Sequence, residues 1–236
     1  IDYDGDGDYD LFISQNTSNN LVATIKLWEN TGTATSPEFT FKEDDFLGFS
    51  QFFFYNLKIQ FTDINRDTKI DLVFTGTSFQ SGSTQLYFIP NQGSSRVDFT
   101  NQSIQPVDFT ISSSENILVT DVNKDGLVDL LVGKTTGALQ YWKNTGPEGT
   151  LDFSLEDDSF LALGSTVLRQ NIACSVSDFD GDGKSDLVYG DQNGRLNIIG
   201  NFREASNGVD AITELTFNPL SGIYEARNLG GRIWPT

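Results

Sequence analysis

The chain has 236 residues, 33 acidic against 15 basic side chains, a net charge of −18, one cysteine and no histidine. That charge repels nucleic acid and anionic lipid, and the missing histidine excludes Ser-His-Asp and Cys-His catalysis and His-ligated zinc. A 37% hydrophobic and 12% aromatic content can still build a core, so the acidity is not that of a disordered tail, and a lone cysteine leaves no internal disulfide framework.

Taken in chain order, the sequence opens at Ile1 without a methionine or a signal peptide, and reads as a processed protein or a piece of a larger one. No apolar run approaches the roughly twenty residues needed to cross a bilayer. At Asp2 begins DYDGDGDYDLFIS, followed by IKLWENTG (25–32), EFTF (38–41) and the acidic KEDD (42–45). The next run, GFSQFFFYNLKIQF (48–61), is less repetitive. Phe52, Phe53, Phe54 and Tyr55 cannot all face inward from one strand, so part of this run forms an exposed contact patch or is covered by neighbouring strands. At Asp63 the opening motif returns as DINRDTKIDLVFTG, then QLYFIPNQG (85–93). It returns again at Asp121 as DVNKDGLVDLLVG, with NILVT before it and LQYWKNTG (139–146), LDFSL and EDD (156–158) after it. The fourth copy is DFDGDGKSDLVYG at Asp178, preceded by IACSVS and followed by LNIIGN and LTFNPL. In IACSVS, Ile172, Cys174 and Val176 share one face of an alternating strand, which makes Cys174 a buried, inert thiol.

Each copy reads as about four short strands, with Thr136-Gly137 and Asn193-Gly194 placed as hairpin turns. No window sustains a 3.6-residue apolar period, so helices are few. Four-stranded antiparallel repeats near sixty residues long predict an all-β fold, a β-propeller whose blades cover one another's faces. The four repeats are 1–60, 61–118, 119–175 and 176–236 of one partial propeller domain. Both ends fall mid-pattern, which favours a section of a larger propeller of about seven blades over a closed ring of four.

The clustered aspartates repel one another unless a cation joins them. In the fourth loop, carboxylates come from positions 1, 3, 5 and 9, Asp178, Asp180, Asp182 and Asp186, while position 7, Lys184, offers only its carbonyl. Gly183 at position 6 permits a sharp turn. Oxygen donors in a flexible cage suit calcium; magnesium demands a stricter octahedron, and zinc wants nitrogen or sulfur. Where an EF-hand has a bidentate glutamate, at position 12, this chain has Ile13, Phe74, Val132 or Tyr189. The position 9 aspartate therefore closes the site, in a loop between two strands. A plain Asx turn satisfied by its own backbone explains one such loop but not four carboxylate-rich ones.

The repeated DxDxDGxxDL followed by a strand and glycine resembles the FG-GAP/VCBS repeats, which form the propellers of integrin α subunits and of many secreted or surface-attached bacterial proteins. The resemblance runs through all four copies. It implies calcium at the blade loops, an extracellular or cell-surface setting, and a scaffolding, adhesive or glycan-binding role. Carried over by position, the first site is Asp2, Asp4, Asp6 and Asp10 with the Asp8 carbonyl. The second is Asp63, Asn65, Asp67 and Asp71 with the Lys69 carbonyl. The third is Asp121, Asn123, Asp125 and Asp129 with the Leu127 carbonyl, and the fourth is the loop at Asp178 with the Lys184 carbonyl. Up to four calcium ions are expected, one per loop. The second site is the weakest, because Thr68 replaces the glycine and Arg66 and Lys69 add positive charge.

The function expected from these residues is a non-enzymatic, calcium-stabilised module that binds a protein or glycan partner, without nucleic acid or membrane insertion. A polysaccharide lyase or glycoside hydrolase on the same frame is the alternative, as is a purely structural part of a surface assembly. A hydrolase needs two facing carboxylates, yet the acidic runs Glu43–Asp45 and Glu156–Asp158 recur at matching positions, as solvated turns do. Trp28, Ile89, Trp142 and Ile199 also hold one equivalent position, which fits packing between blades better than sugar platforms.

Overall fold

The computed structural model describes residues 1–17, 21–94, 96–100, 103–147, 149–194 and 196–204, together with the backbone of three short strands beyond them. Four antiparallel sheets are present, each a meander in chain order. The first holds β1 (Leu11–Asn16), β2 (Ala23–Asn30) and β3 (Phe39–Glu43). The second holds β4 (Phe54–Thr62), β5 (Asp71–Ser78), β6 (Thr84–Ile89) and β7 (Gln105–Ile111). The third holds β8 (Asn116–Thr120), β9 (Asp129–Gly133), β10 (Leu139–Asn144) and β11 (Phe153–Asp157). The fourth holds β12 (Ala173–Ser177), β13 (Asp186–Gly190), β14 (Leu196–Ile199) and β15 (Ile212–Glu214); β16 (Phe217–Asn218) and β17 (Ile223–Tyr224) pair separately. The only helical turns among the described residues are 3-10 segments, Phe46–Phe52 and Phe160–Ala162, which follow the two acidic runs. The all-β expectation and the scarcity of helix therefore hold.

The repeat boundaries read from sequence at 60/61, 118/119 and 175/176 cut through β4, β8 and β12. Each of these strands pairs with the strand after the aspartate loop, as in Thr62↔Asp71, Thr120↔Asp129 and Ser177↔Asp186. The loop is thus the turn of a hairpin, and the hydrogen-bonded sheet starts one strand before the motif. Both expected glycine turns close their hairpins: Gly137 N–H donates to Lys134 O and Gly194 N–H to Asp191 O, each at 3.1 Å. Gly137 has φ +88° and a Cβ there would lie 1.9 Å from Arg169 O, so only glycine fits.

The chain packs as two compact units, residues 1–113 with 147–151, and residues 114–146 with 152–236. In the first unit, Ile25 and Leu27 of β2 meet Leu72, Phe74 and Ile89 of β5 and β6, with Phe46, Phe49, Phe54 and Phe99 filling the core. Its rings meet mostly edge to face; Phe49 and Phe74 lie 5.2 Å apart at 83°. In the second unit, Leu131, Leu139 and Tyr141 meet Leu187, Tyr189 and Ile199, with Ile172, Leu163 and Phe202. Cys174 and Val176 pack partly buried on that core. In each unit two sheets bury equivalent faces, the period-two residues of a half-buried strand.

The close approach of strands is solved differently at one repeat position. In the first unit, Ser14 Oγ donates to Leu57 O at 2.9 Å. In the second, the equivalent residue is Gly133, where a Cβ would meet Ile172 O at 2.0 Å, and the Asn116 amide donates to that carbonyl at 2.9 Å. The glycine ending DLLVG exists for this contact.

Candidate metal centres

Every loop is built on the same backbone path. Positions 4 and 6 sit in the left-handed region: Gly5 and Gly7, Arg66 (φ 64°) and Thr68 (φ 70°), Lys124 (φ 64°) and Gly126, Gly181 and Gly183. The first aspartate of each loop folds the chain onto itself by accepting backbone N–H groups. Asp2 takes Gly5 and Gly7 at 2.7 and 3.1 Å; Asp63 takes Asp67 and Thr68 at 3.1 and 2.9 Å. Asp121 takes Lys124 and Gly126 at 2.7 and 3.0 Å; Asp178 takes Gly181 and Gly183 at 2.8 and 3.0 Å. Positions 3 and 5 each accept the N–H two residues on, as Asp180 does from Asp182 and Asp182 from Lys184.

Position 9 does something the sequence did not disclose. Asp10, Asp71, Asp129 and Asp186 are all buried. In every copy Oδ2 accepts the N–H of position 2, from Tyr3, Ile64, Val122 and Phe179 at 2.9 to 3.2 Å. Oδ1 accepts the N–H of an asparagine at or just after the end of the following strand, Asn30, Asn91, Asn144 or Asn201, at 2.9 Å in each case. In the first three copies that asparagine then caps the next turn with its own Oδ1. Asn30 takes Gly32 and Glu38, Asn91 takes Gly93 and Asp98, and Asn144 takes Gly146 and Asp152. The signal was present in ENTG, PNQG and KNTG, whose asparagine recurs in register.

The loops differ in whether their carboxylates converge. Oxygens of Asp2, Asp4 and Asp10 all lie within 4.8 Å of one another, as do those of Asp178, Asp180 and Asp182. Among the described residues no comparable acidic group forms in the second or third loop. In the third, Asn123 Nδ2 donates to Asp125 Oδ2 at 2.8 Å and Lys143 Nζ stands 3.8 Å from the same oxygen, so the charge is met internally. Asp125 is accordingly held below the usual carboxylate range, chiefly by the Leu127 N–H. In the second, Asp63, Asn65 and Asp67 spend oxygens on the loop backbone, and burial pushes the Asp71 carboxyl up to about 6. Asp129 is raised by burial too, against hydrogen bonds from Asn144, Val122 and the Tyr141 hydroxyl.

The donors fit a hard divalent cation. They are carboxylate, amide and carbonyl oxygens throughout, with no nitrogen or sulfur ligand among them. The first loop also has an orphan: Asp8 is 6% exposed and its Oδ1 meets no hydrogen-bond partner. The carboxyls of Asp4 and Asp8 are both raised, first by loss of water and then by neighbouring aspartates. Acidic oxygens held together in this way favour a proton or a cation over empty space. Asp6 and Lys69, Leu127 and Lys184, assigned by position, lie in the same loops; Asp6 accepts the Asp8 N–H at 3.1 Å.

Around the fourth loop, Arg203 donates to Ser185 Oγ at 2.9 Å and to Thr120 Oγ1 at 3.2 Å, while Glu204 stands 3.4 Å from Lys124 and 3.2 Å from Lys184. This segment ties the third and fourth loops together within the second unit. The acidic runs outside the loops are local: Asp44 pairs with Lys26 at 2.7 Å, Asp45 accepts the Ser50 N–H and hydroxyl, and Asp157 accepts the Ser159 N–H.

Antiparallel meanders with one oxygen-rich loop leading into a strand of each sheet, closing a hairpin in three of them, define a repeat protein of acidic-loop β-sheets. Residues 121–189, from the third loop into β13, match the FG-GAP-like repeat family. No curated protein matches the chain.

Proposed function

We propose that the chain is a calcium-stabilised, non-enzymatic binding module of β-propeller type, whose four sheets are blades of a larger propeller. It works outside the cell or on its surface, holding a protein or glycan partner. The observation that carries this reading is the same loop path ahead of a strand in four sheets, two of whose carboxylate sets converge within 4.8 Å. The FG-GAP-like repeat at 121–189 supports it, as does the local engagement of the acidic runs that would otherwise offer catalytic carboxylates. Among the described residues no helix is long and apolar enough to cross a membrane.

Bound calcium supplies charge neutralisation and a cross-link between loop positions. The chain contributes the rest: position 1 shapes the loop, positions 3 and 5 present oxygens, and position 9 fastens the loop to the sheet. Extracellular calcium, near millimolar, matches loops of this openness. The loop at 63–71 is the weakest, since Arg66 and Thr68 hold left-handed backbone at a cost and Arg66 and Lys69 oppose a cation.

Calcium titration after chelator treatment, read by calorimetry and by melting temperature, tests this. Binding with a rise in stability of about 2.7 kcal/mol per site at a hundredfold excess over Kd is expected. Asp180→Asn removes one tight site, and Asp63→Asn changes little. Absence of both heat and thermal shift overturns the reading, and a dominant effect of Asp63→Asn overturns the ranking.

A further inference from the structure

In the first unit, three segments that meet at the end of the sheets opposite the acidic loops have no charged residue of their own, and Lys58, which follows one of them, donates to Ser113 O at 3.3 Å. Residues 11–25, 46–57 and 72–95 contain no Asp, Glu, Lys or Arg. Three contacts bring these segments together: Asn16 Oδ1 accepts the Asn56 N–H at 3.3 Å, Phe53 O accepts the Phe79 N–H at 3.1 Å, and Ser14 Oγ donates to Leu57 O. At this end Phe53 is 57% and Phe79 47% exposed, and the Tyr55 ring lies 4.8 Å from that of Phe79 at 52°. Exposed amides and hydroxyls of Asn16, Gln51, Gln80, Ser81 and Ser83 belong to the same three segments.

The presentation is rigid. Ser78 N–H donates to Ser83 O and Gly82 N–H to Ser78 O, at 3.1 and 2.8 Å, and the Ser81 and Ser83 hydroxyls join at 2.7 Å. Phe53 holds φ 55° and Asn56 φ 51°. A left-handed bulky residue costs roughly 1–2 kcal/mol, and here that strain accompanies a ring held in water. Strain retained at an exposed aromatic is a mark of a binding surface.

The geometry points to a binding site for a neutral oligosaccharide on this end of the first unit, centred on Phe53, Tyr55 and Phe79. It rests on the reading of the chain as a binding module and names that module's ligand class and site. Aromatic faces pack against the C–H faces of a sugar ring, while amides and hydroxyls both donate and accept, as sugar hydroxyls do. These segments carry no charged side chain of their own, the neighbouring Lys58 ammonium is engaged by Ser113 O, and the −18 of the chain repels uronates and sulfated sugars. The same end of the second unit differs: Val167 and Leu168 are exposed there without an aromatic ring, next to Arg169.

Affinity electrophoresis of the calcium-loaded protein through gels containing a neutral β-glucan, a neutral mannan or polygalacturonate tests the site. A neutral polymer retards the protein, and Phe53→Ala/Phe79→Ala weakens that retardation about tenfold or more. Val167→Ala/Leu168→Ala leaves it unchanged, and both double variants keep the parent melting temperature within a few degrees. Retardation by polygalacturonate alone, by no polymer, or undiminished in the Phe53/Phe79 variant overturns the site. Calcium titration of the same preparation separates that failure from failure of the module itself. Capture of a protein partner that survives the Phe53/Phe79 substitution likewise counts against the site and leaves the module standing.

Discussion

The two units solve the same repeat with different materials. The first fills its core with Phe46, Phe49, Phe54, Phe74 and Phe99, the second chiefly with leucines, Ile172 and Ile199 and fewer rings. Each unit owns one loop with converging carboxylates and one without: the loops at Asp2 and Asp63 in the first, those at Asp178 and Asp121 in the second. The other two loops carry an amide, Asn65 or Asn123, where Asp4 and Asp180 stand, and at Asp121 the Asn123 amide and Lys143 approach Asp125. What all four share is the buried position 9 aspartate, which fastens the loop to its sheet in every copy and in the first loop also joins the converging carboxylates.

Removing position 9 therefore has the largest expected effect on either unit. Asp129→Leu strips acceptors from the Val122 and Asn144 N–H groups and the Tyr141 hydroxyl, and costs about 3–5 kcal/mol in urea unfolding with or without calcium. A loss confined to calcium-containing buffer would show instead that this aspartate serves the metal alone. Thr68→Gly sharpens the contrast between loops. Relief of a β-branched left-handed residue raises stability by about 1 kcal/mol and tightens calcium at that loop; an unchanged affinity would place the weakness in Arg66 and Lys69. The smallest effect concerns Cys174, whose thiol burial pushes up to about 12. The folded state favours the neutral thiol, so its contribution to stability is full below pH 9 and is lost as pH rises toward 12. Alkylation at pH 8 is accordingly slow in the native protein and fast in guanidinium; equal rates would refute burial.

Strands, hairpin turns and the repeat itself were legible because they depend on neighbours in sequence: alternation in DLVYG, glycine at 137 and 194, four aspartate runs in register. The gathering of carboxylates in the loops at Asp2 and Asp178 was legible for the same reason. The sheet boundaries were not, since pairing of β4 with β5 is decided across the loop rather than within the repeat pattern. Nor was the bond from Asp71 to Asn91, which joins residues twenty positions apart. Position 4 escaped notice because two copies place glycine there and two place Arg66 and Lys124; only the backbone angle reveals the shared need. The tetrad Phe52 to Tyr55 was correctly read as too much aromatic surface for one strand face, and Phe53 is the residue left outside.

The fastening of position 9 to the asparagine at the end of the following strand has an evolutionary consequence. Because the position 9 aspartate and its asparagine hold the framework in all four copies, other loop positions can vary, as Thr68 does where the other copies carry glycine, and the fastening remains. Repeats of this design can vary their loop chemistry copy by copy within a single chain while each loop stays fastened to its own sheet.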